Sequence, residues 1–207
     1  MDNPTRLFDF IYYQQTHFPQ QRAFAFRHNG KEVSHFSTEK IIDMANAVSR
    51  GLLQMGLKSG DKIGTVIVKN RPEWTILDLG MMQIGVINVP VYPTIAPSDY
   101  EYIFNDAAVK LCFVGDDDAG SVFKKVEKAK ENIPSLTTIF TFDAVNYAPF
   151  WEEIWKNFLP SGELKGDTEG GQLSDSQTKT RDFILKNDKN ALQNAVEQAK
   201  NAIRGGF

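Results

Sequence analysis

Apolar positions change period several times along the chain, and each change marks a predicted element. Leu7, Phe8, Ile11 and Tyr12 recur at helical spacing. Thr5 is a cap residue just before them, which predicts a helix through about Thr16 that Pro19 stops. From Ala23 to Phe36, two strand-like runs flank Asn29–Gly30, a pair that tolerates the positive φ of a two-residue hairpin turn. Ser37 or Thr38 then caps a helix with Ile41, Ala45, Val48, Leu52 and Met55 on one face, ended by Gly56.

The stretch from Asp61 to Thr94 organises the rest. Ile63, Val66, Ile67 and Val68 make a nearly continuous apolar run over Lys62–Val68, the pattern of a strand covered on both faces of a parallel sheet. Asn70-Arg71-Pro72-Glu73-Trp74 follows as a turn into a helix. Pro72 suits the first helical turn, and Glu73 sets a carboxylate at the positive helix end. Asn70 and Glu73 form a capping-box pair if Asn70 is the cap, although Arg71 precedes a proline and so resists helical ψ. Trp74, Leu77, Met81 and Ile84 keep helical spacing, Gly85 ends the helix, and Val86–Val89 is a strand that Pro90 closes.

A second unit begins after Thr94. Pro97 and Ser98 open a helix with Tyr100, Ile103, Phe104 and Ala107 turned inward, and Lys110–Gly115 is a short strand. Ala119–Glu131 reads as a helix with Val122, Phe123 and Val126 inside and lysines outside, and Thr137–Phe142 as a further strand. Two successive strand–helix–strand passages predict an α/β fold, a mostly parallel sheet with helices on both faces, preceded by a β-hairpin. Residues 1–159 form this unit. Residues 160–180 are rich in Gly, Ser, Thr, Asp and Gln and read as a polar linker, and residues 181–207 recover helical period through Leu192, Ala195, Val196, Ala199 and Ile203. That tail is either a native insertion or an appended segment.

Composition narrows the function classes. The 207 residues carry 42% hydrophobic and 24% charged side chains, ordinary for a water-soluble domain. A net charge of −3 and the lack of a basic stripe argue against nucleic acid as a partner. Cys112 is the only cysteine and cannot form an internal disulfide, which fits a reducing compartment. Met1–Arg6 is polar, unlike a signal peptide, and no apolar run approaches about 18 residues, as a membrane-spanning helix requires. The expected location is cytoplasmic.

Gly56–Lys62, Asn70–Trp74 and Gly85–Pro90, in this order and spacing, resemble the N-terminal subdomain of AMP-forming acyl-CoA synthetases. The Val91-Tyr92-Pro93-Thr94 step resembles the long-chain fatty-acid–CoA ligase branch, and the similarity runs from about Phe8 to about Trp155. The resemblance implies an ATP-binding, adenylate-forming ligase of fatty acid and lipid metabolism that uses ATP, Mg2+ and CoA. It places the acyl and nucleotide sites at the seam with the next subdomain. It also implies that the phosphate-binding loop, the acidic magnesium ligand and the catalytic lysine lie beyond this stretch. The expectations are therefore a fragment with no catalytic, cofactor-binding or metal residues of its own, no bound cofactor, and no ligase activity alone. Its partners are the fatty acid through the full-length enzyme and the remaining subdomains, with weak self-association where seam surface is bare. A stand-alone α/β interaction or nucleotide-binding module is the alternative, and neither GxGxxG after a strand nor GxxxxGK[ST] occurs to support it.

Individual candidates have plain readings beside functional ones. The Pro90–Thr94 step follows a strand's carboxyl end, where open α/β sheets bind ligands, and Tyr92, Pro93 and Thr94 are the candidate wall of the substrate cleft. The plainer reading is an edge strand ended by two prolines, with Tyr92 in the core. Trp74 reads as core rather than acyl contact, and Arg71 beside Glu73 as an ion pair rather than a phosphate clamp. His17, His28 and His35 lack ligand spacing, Cys112 reads as an inert buried thiol, and Asp116–Asp118 as a solvated loop. Gly166–Ser176 mixes phosphate-loop residue types without a strand before it or a lysine after it, and Lys124–Lys130 is a charged helix face.

Overall fold

The computed structural model describes residues 4–28, 32–115, 120–143 and 148–156. Strands β3 (Lys62–Ile67), β4 (Ile87–Val91), β5 (Leu111–Gly115) and β6 (Thr138–Thr141) form one parallel sheet in the order β4-β3-β5-β6. Strands β1 (Phe24–His28) and β2 (Glu32–Phe36) pair antiparallel as the expected hairpin, with Phe24 opposite Phe36 and His28 opposite Glu32. The Asn29–Gly30 turn lies outside the described residues, as do Asp116–Asp118, Gly166–Ser176, the 160–180 linker and the 181–207 tail.

Helices cover both sheet faces because the strands alternate. Ile63, Leu111, Phe113, Phe140 and Phe142 face α2 (Thr38–Gln54) and α3 (Pro72–Gln83). Val66, Cys112, Val114 and Ile139 face α4 (Pro97–Asp106) and α5 (Ser121–Lys130). A 3₁₀ turn, Trp151–Ile154, closes the first layer, with Trp151 tilted against both Phe142 and Trp155. Ser37 is the cap of α2, its hydroxyl accepting from Lys40 N–H at 3.1 Å. Ser37→Ala is expected to cost about 1 kcal/mol, read as a lower urea midpoint at unchanged slope.

Three expectations need correction, and one left open is decided. The first helix, α1, spans Asp9–His17, and Thr5 does not cap it. Asp9 is buried, and its carboxylate accepts from Thr5 N–H, Arg6 N–H and the Arg6 guanidinium, so the charged turn precedes the helix. That shift leaves Leu7 75% exposed, while Phe8 and Ile11 pack inward. The cap of α3, open between Asn70 and its neighbour in the sequence, is Arg71, because the residue before Pro72 is held extended at φ −151°, ψ 147°. Met55 lies past the buried face of α2 and is exposed. Pro90 sits inside β4 opposite Thr65, which an edge strand permits because one side of its ladder has no partner.

Candidate functional site

The chain leaves β3 through α3 toward β4, and leaves β5 through α5 toward β6, in the opposite direction across the sheet. Connections that diverge in this way open a crevice at the carboxyl ends of β3 and β5, the usual ligand position in open α/β sheets. Arg71 spans it. Its stem passes over Gly115 at the end of β5, where an added Cβ would stand 3.5 Å from the arginine Cδ. The guanidinium reaches both Asp143 oxygens at 2.9 and 3.0 Å, Glu73 at 3.2 Å and the Phe142 carbonyl at 3.2 Å. It also lies over the Phe142 ring, 5.4 Å from the centroid. The structural ion-pair reading of Arg71 therefore holds. An arginine committed to two carboxylates and a carbonyl has little left for a phosphate.

Glu152 adds a second negative charge near Glu73. Burial, and then the Glu73 carboxylate, push its pKa above the usual range. An acid whose folded pKa exceeds the unfolded one stabilises the fold most where it is protonated, and that contribution disappears as pH climbs through the folded pKa. Glu152→Gln is therefore expected to raise the urea midpoint at pH 7, with the gain shrinking toward pH 4. An equal gain at both values would exclude the repulsion.

The β4 end is built differently. Tyr92 is 79% exposed and Thr94 exposed, so Tyr92 is not a core residue, whereas the edge-strand part of the plain reading holds. Backbone, rather than side chain, anchors this step. The buried Tyr100 hydroxyl donates to the Tyr92 carbonyl at 2.9 Å, and Lys125 Nζ donates to the Pro93 carbonyl at 3.3 Å. Asp99 at the start of α4 accepts from Ala96 N–H at 3.1 Å. Beneath, Asn88 on β4 accepts from Thr65 Oγ1 at 2.8 Å and donates to Asp78 at 2.9 Å, tying the edge strand to β3 and α3.

The other candidates do not converge here. Trp74 is half-buried and belongs to neither apolar cluster, and its indole N–H finds no acceptor among the described residues. His17 stacks on Tyr13 at 3.9 Å on the exposed end of α1. Cys112 is fully buried and its thiol pKa is pushed up by that burial, the environment of an unreactive cysteine. Among the described residues no group of three or more His, Cys, Asp or Glu could hold a metal ion. Lys125 and Tyr100 were invisible as site residues in the sequence, since nothing separates Lys125 from its neighbours Lys124 and Lys128.

A family model described as AMP-binding enzyme matches residues 12–182. The chain belongs to the AMP-binding enzyme family. Among curated members, it is 32% identical over 117 residues to the long-chain-fatty-acid–CoA ligase 1 of Homo sapiens, covering 52% of this chain and 16% of that one. It is 37% identical over 70 residues to the fatty acyl-CoA synthetase A of Dictyostelium discoideum, covering 33% of this chain and 10% of that one. The chain thus spans well under a quarter of the length of these relatives. Among solved structures, the anthranilate CoA ligase AuaEII in complex with anthranoyl-AMP superposes on 72% of this chain and 26% of its own, with TM-score 0.58 and 18% identity. A benzoate CoA ligase from Burkholderia xenovorans superposes on 76% of this chain and 29% of its own, with TM-score 0.58 and 15% identity. At that identity the superpositions establish the fold. No helix among the described residues is long and apolar enough to cross a membrane.

Proposed function

We propose that residues 1–159 work as the N-terminal subdomain of an AMP-forming long-chain fatty-acid–CoA ligase, as scaffold and one wall of the substrate cleft. The reaction of such a ligase joins a fatty acid to ATP with release of pyrophosphate, then to CoA with release of AMP. The observation that carries the reading is the family match over residues 12–182, supported by the similarity to acyl-CoA ligases over 117 and 70 residues. The wall is Tyr92, Pro93 and Thr94, of which Tyr92 and Thr94 are exposed, on an anchored backbone at a strand's carboxyl end. Arg71 is already neutralised by Asp143 and Glu73, so binding of ATP and its Mg2+, and capture of CoA, fall to the ligase's other subdomains. The proposed compartment is the cytoplasm, in keeping with a lone buried cysteine.

Fatty-acid-dependent exchange of pyrophosphate into ATP tests this reading. Exchange is expected from the polypeptide read on past Phe207 and not from residues 1–207 by themselves. Exchange by residues 1–207 alone, or none from the longer chain with any fatty acid, overturns it. Titration of residues 1–207 with ATP is expected to give negligible heat, and saturable binding would favour a stand-alone nucleotide-binding module.

A further inference from the structure

Exposed loops after strands are ordinarily the mobile part of an α/β sheet, yet the step after β4 is tied down at consecutive carbonyls. Tyr100, fully buried on the first turns of α4, holds the Tyr92 carbonyl. Lys125 comes from α5, a different helix with its own place in the sheet, and holds the Pro93 carbonyl. Lys130 on the same helix makes a bond of the same kind, its Nζ donating to the Thr137 carbonyl at 2.7 Å, but within its own end of the sheet. Lys124 and Lys128 are exposed, as befits a solvated helix face, whereas Lys125 is half-buried and spends its ammonium on a main-chain oxygen. A flexible, strongly hydrated side chain gives up rotamer freedom to make that bond. The bonds fix the backbone and leave the Tyr92 and Thr94 side chains facing outward.

We propose that Tyr100 and Lys125 are positioning residues that hold residues 92–94 as a preformed cleft wall. The consequence for substrate rests on the cleft-wall reading above. A wall whose backbone is set before the acyl substrate arrives does not have to be ordered on binding, so the clamp lowers KM more than it raises kcat.

The clamp and the wall can be tested separately. Thr94→Cys introduces an exposed thiol for a nitroxide label, and Cys112, fully buried with its thiol pKa raised, does not compete for it. Adding Lys125→Met is expected to shorten the label's rotational correlation time roughly twofold or more on the nanosecond scale, and Lys125→Arg to restore it. Tyr100→Phe removes the hydroxyl alone and is expected to act in the same direction, with urea midpoints checking that each variant is folded. In the longer ligase, Lys125→Met is expected to raise the fatty-acid KM about tenfold with kcat nearly unchanged. A label equally restrained in Lys125→Met and its parent overturns the clamp, whatever happens to KM. A label that loosens while KM stays constant upholds the clamp and removes the cleft-wall reading.

Discussion

Gly51→Ala is expected to destabilise the protein by about 3 kcal/mol, the upper end of what an overpacked core costs. Alanine is ordinarily better than glycine inside a helix by about 1 kcal/mol, so the sign here depends on tertiary contact. A Cβ on Gly51 would stand 1.9 Å from the Ile154 carbonyl oxygen and 2.7 Å from its carbon. Both are backbone atoms of the 3₁₀ turn and cannot rotate away. The turn has to lift from α2, and Trp151, 1% exposed, and Trp155, 3% exposed, are carried with it. The measurement is a urea titration followed by tryptophan emission, with a lower midpoint and a red-shifted folded baseline as the expected pair. A midpoint at or above the parent's would show that the turn does not sit on Gly51.

Phe104→Ala is expected to cost about 3–5 kcal/mol, the range for removing a buried phenylalanine whose surroundings do not collapse. Phe104 is fully buried, tilted against Tyr100 at 5.9 Å, and its ring fills the space that Gly64 leaves on β3. Backbone on one side and a tyrosine held by its hydroxyl on the other leave little room for collapse. Phe104→Leu keeps most of the volume and is expected to lose clearly less. Equal losses for the two variants in chemical denaturation would argue that the cavity relaxes. Because Phe104 supports Tyr100, the alanine variant is also expected to loosen residues 92–94.

The crossover from Ile63 to Val89 was legible because its physics is local. Apolar runs four to six residues long declare buried strands, and Gly56 and Gly85, at φ +84° and +71°, stand where chain reversal requires a left-handed residue. The hairpin and both faces of α5 were legible for the same reason. The start of α1 was not. A threonine cap and an aspartate that accepts back from Thr5 and Arg6 look alike in sequence, and the choice moved Leu7 from core to surface. Pro90 looked like a strand end because a missing N–H matters only where a partner waits for it, and on an edge strand one side has none.

The candidate site divides the same way. Residue types and spacing alone determined that the chain is α/β, that Tyr92–Thr94 follows a strand, and that Arg71 belongs with an acid, since periodicity and nearest-neighbour chemistry need no third dimension. The order β4-β3-β5-β6, the exposure of Tyr92, the reach of Arg71 to Asp143 and the hold of Lys125 on Pro93 were decided only by tertiary structure. Each joins groups from separate elements, and a bond whose partners are 32 or 72 residues apart leaves no mark on the local pattern of either one.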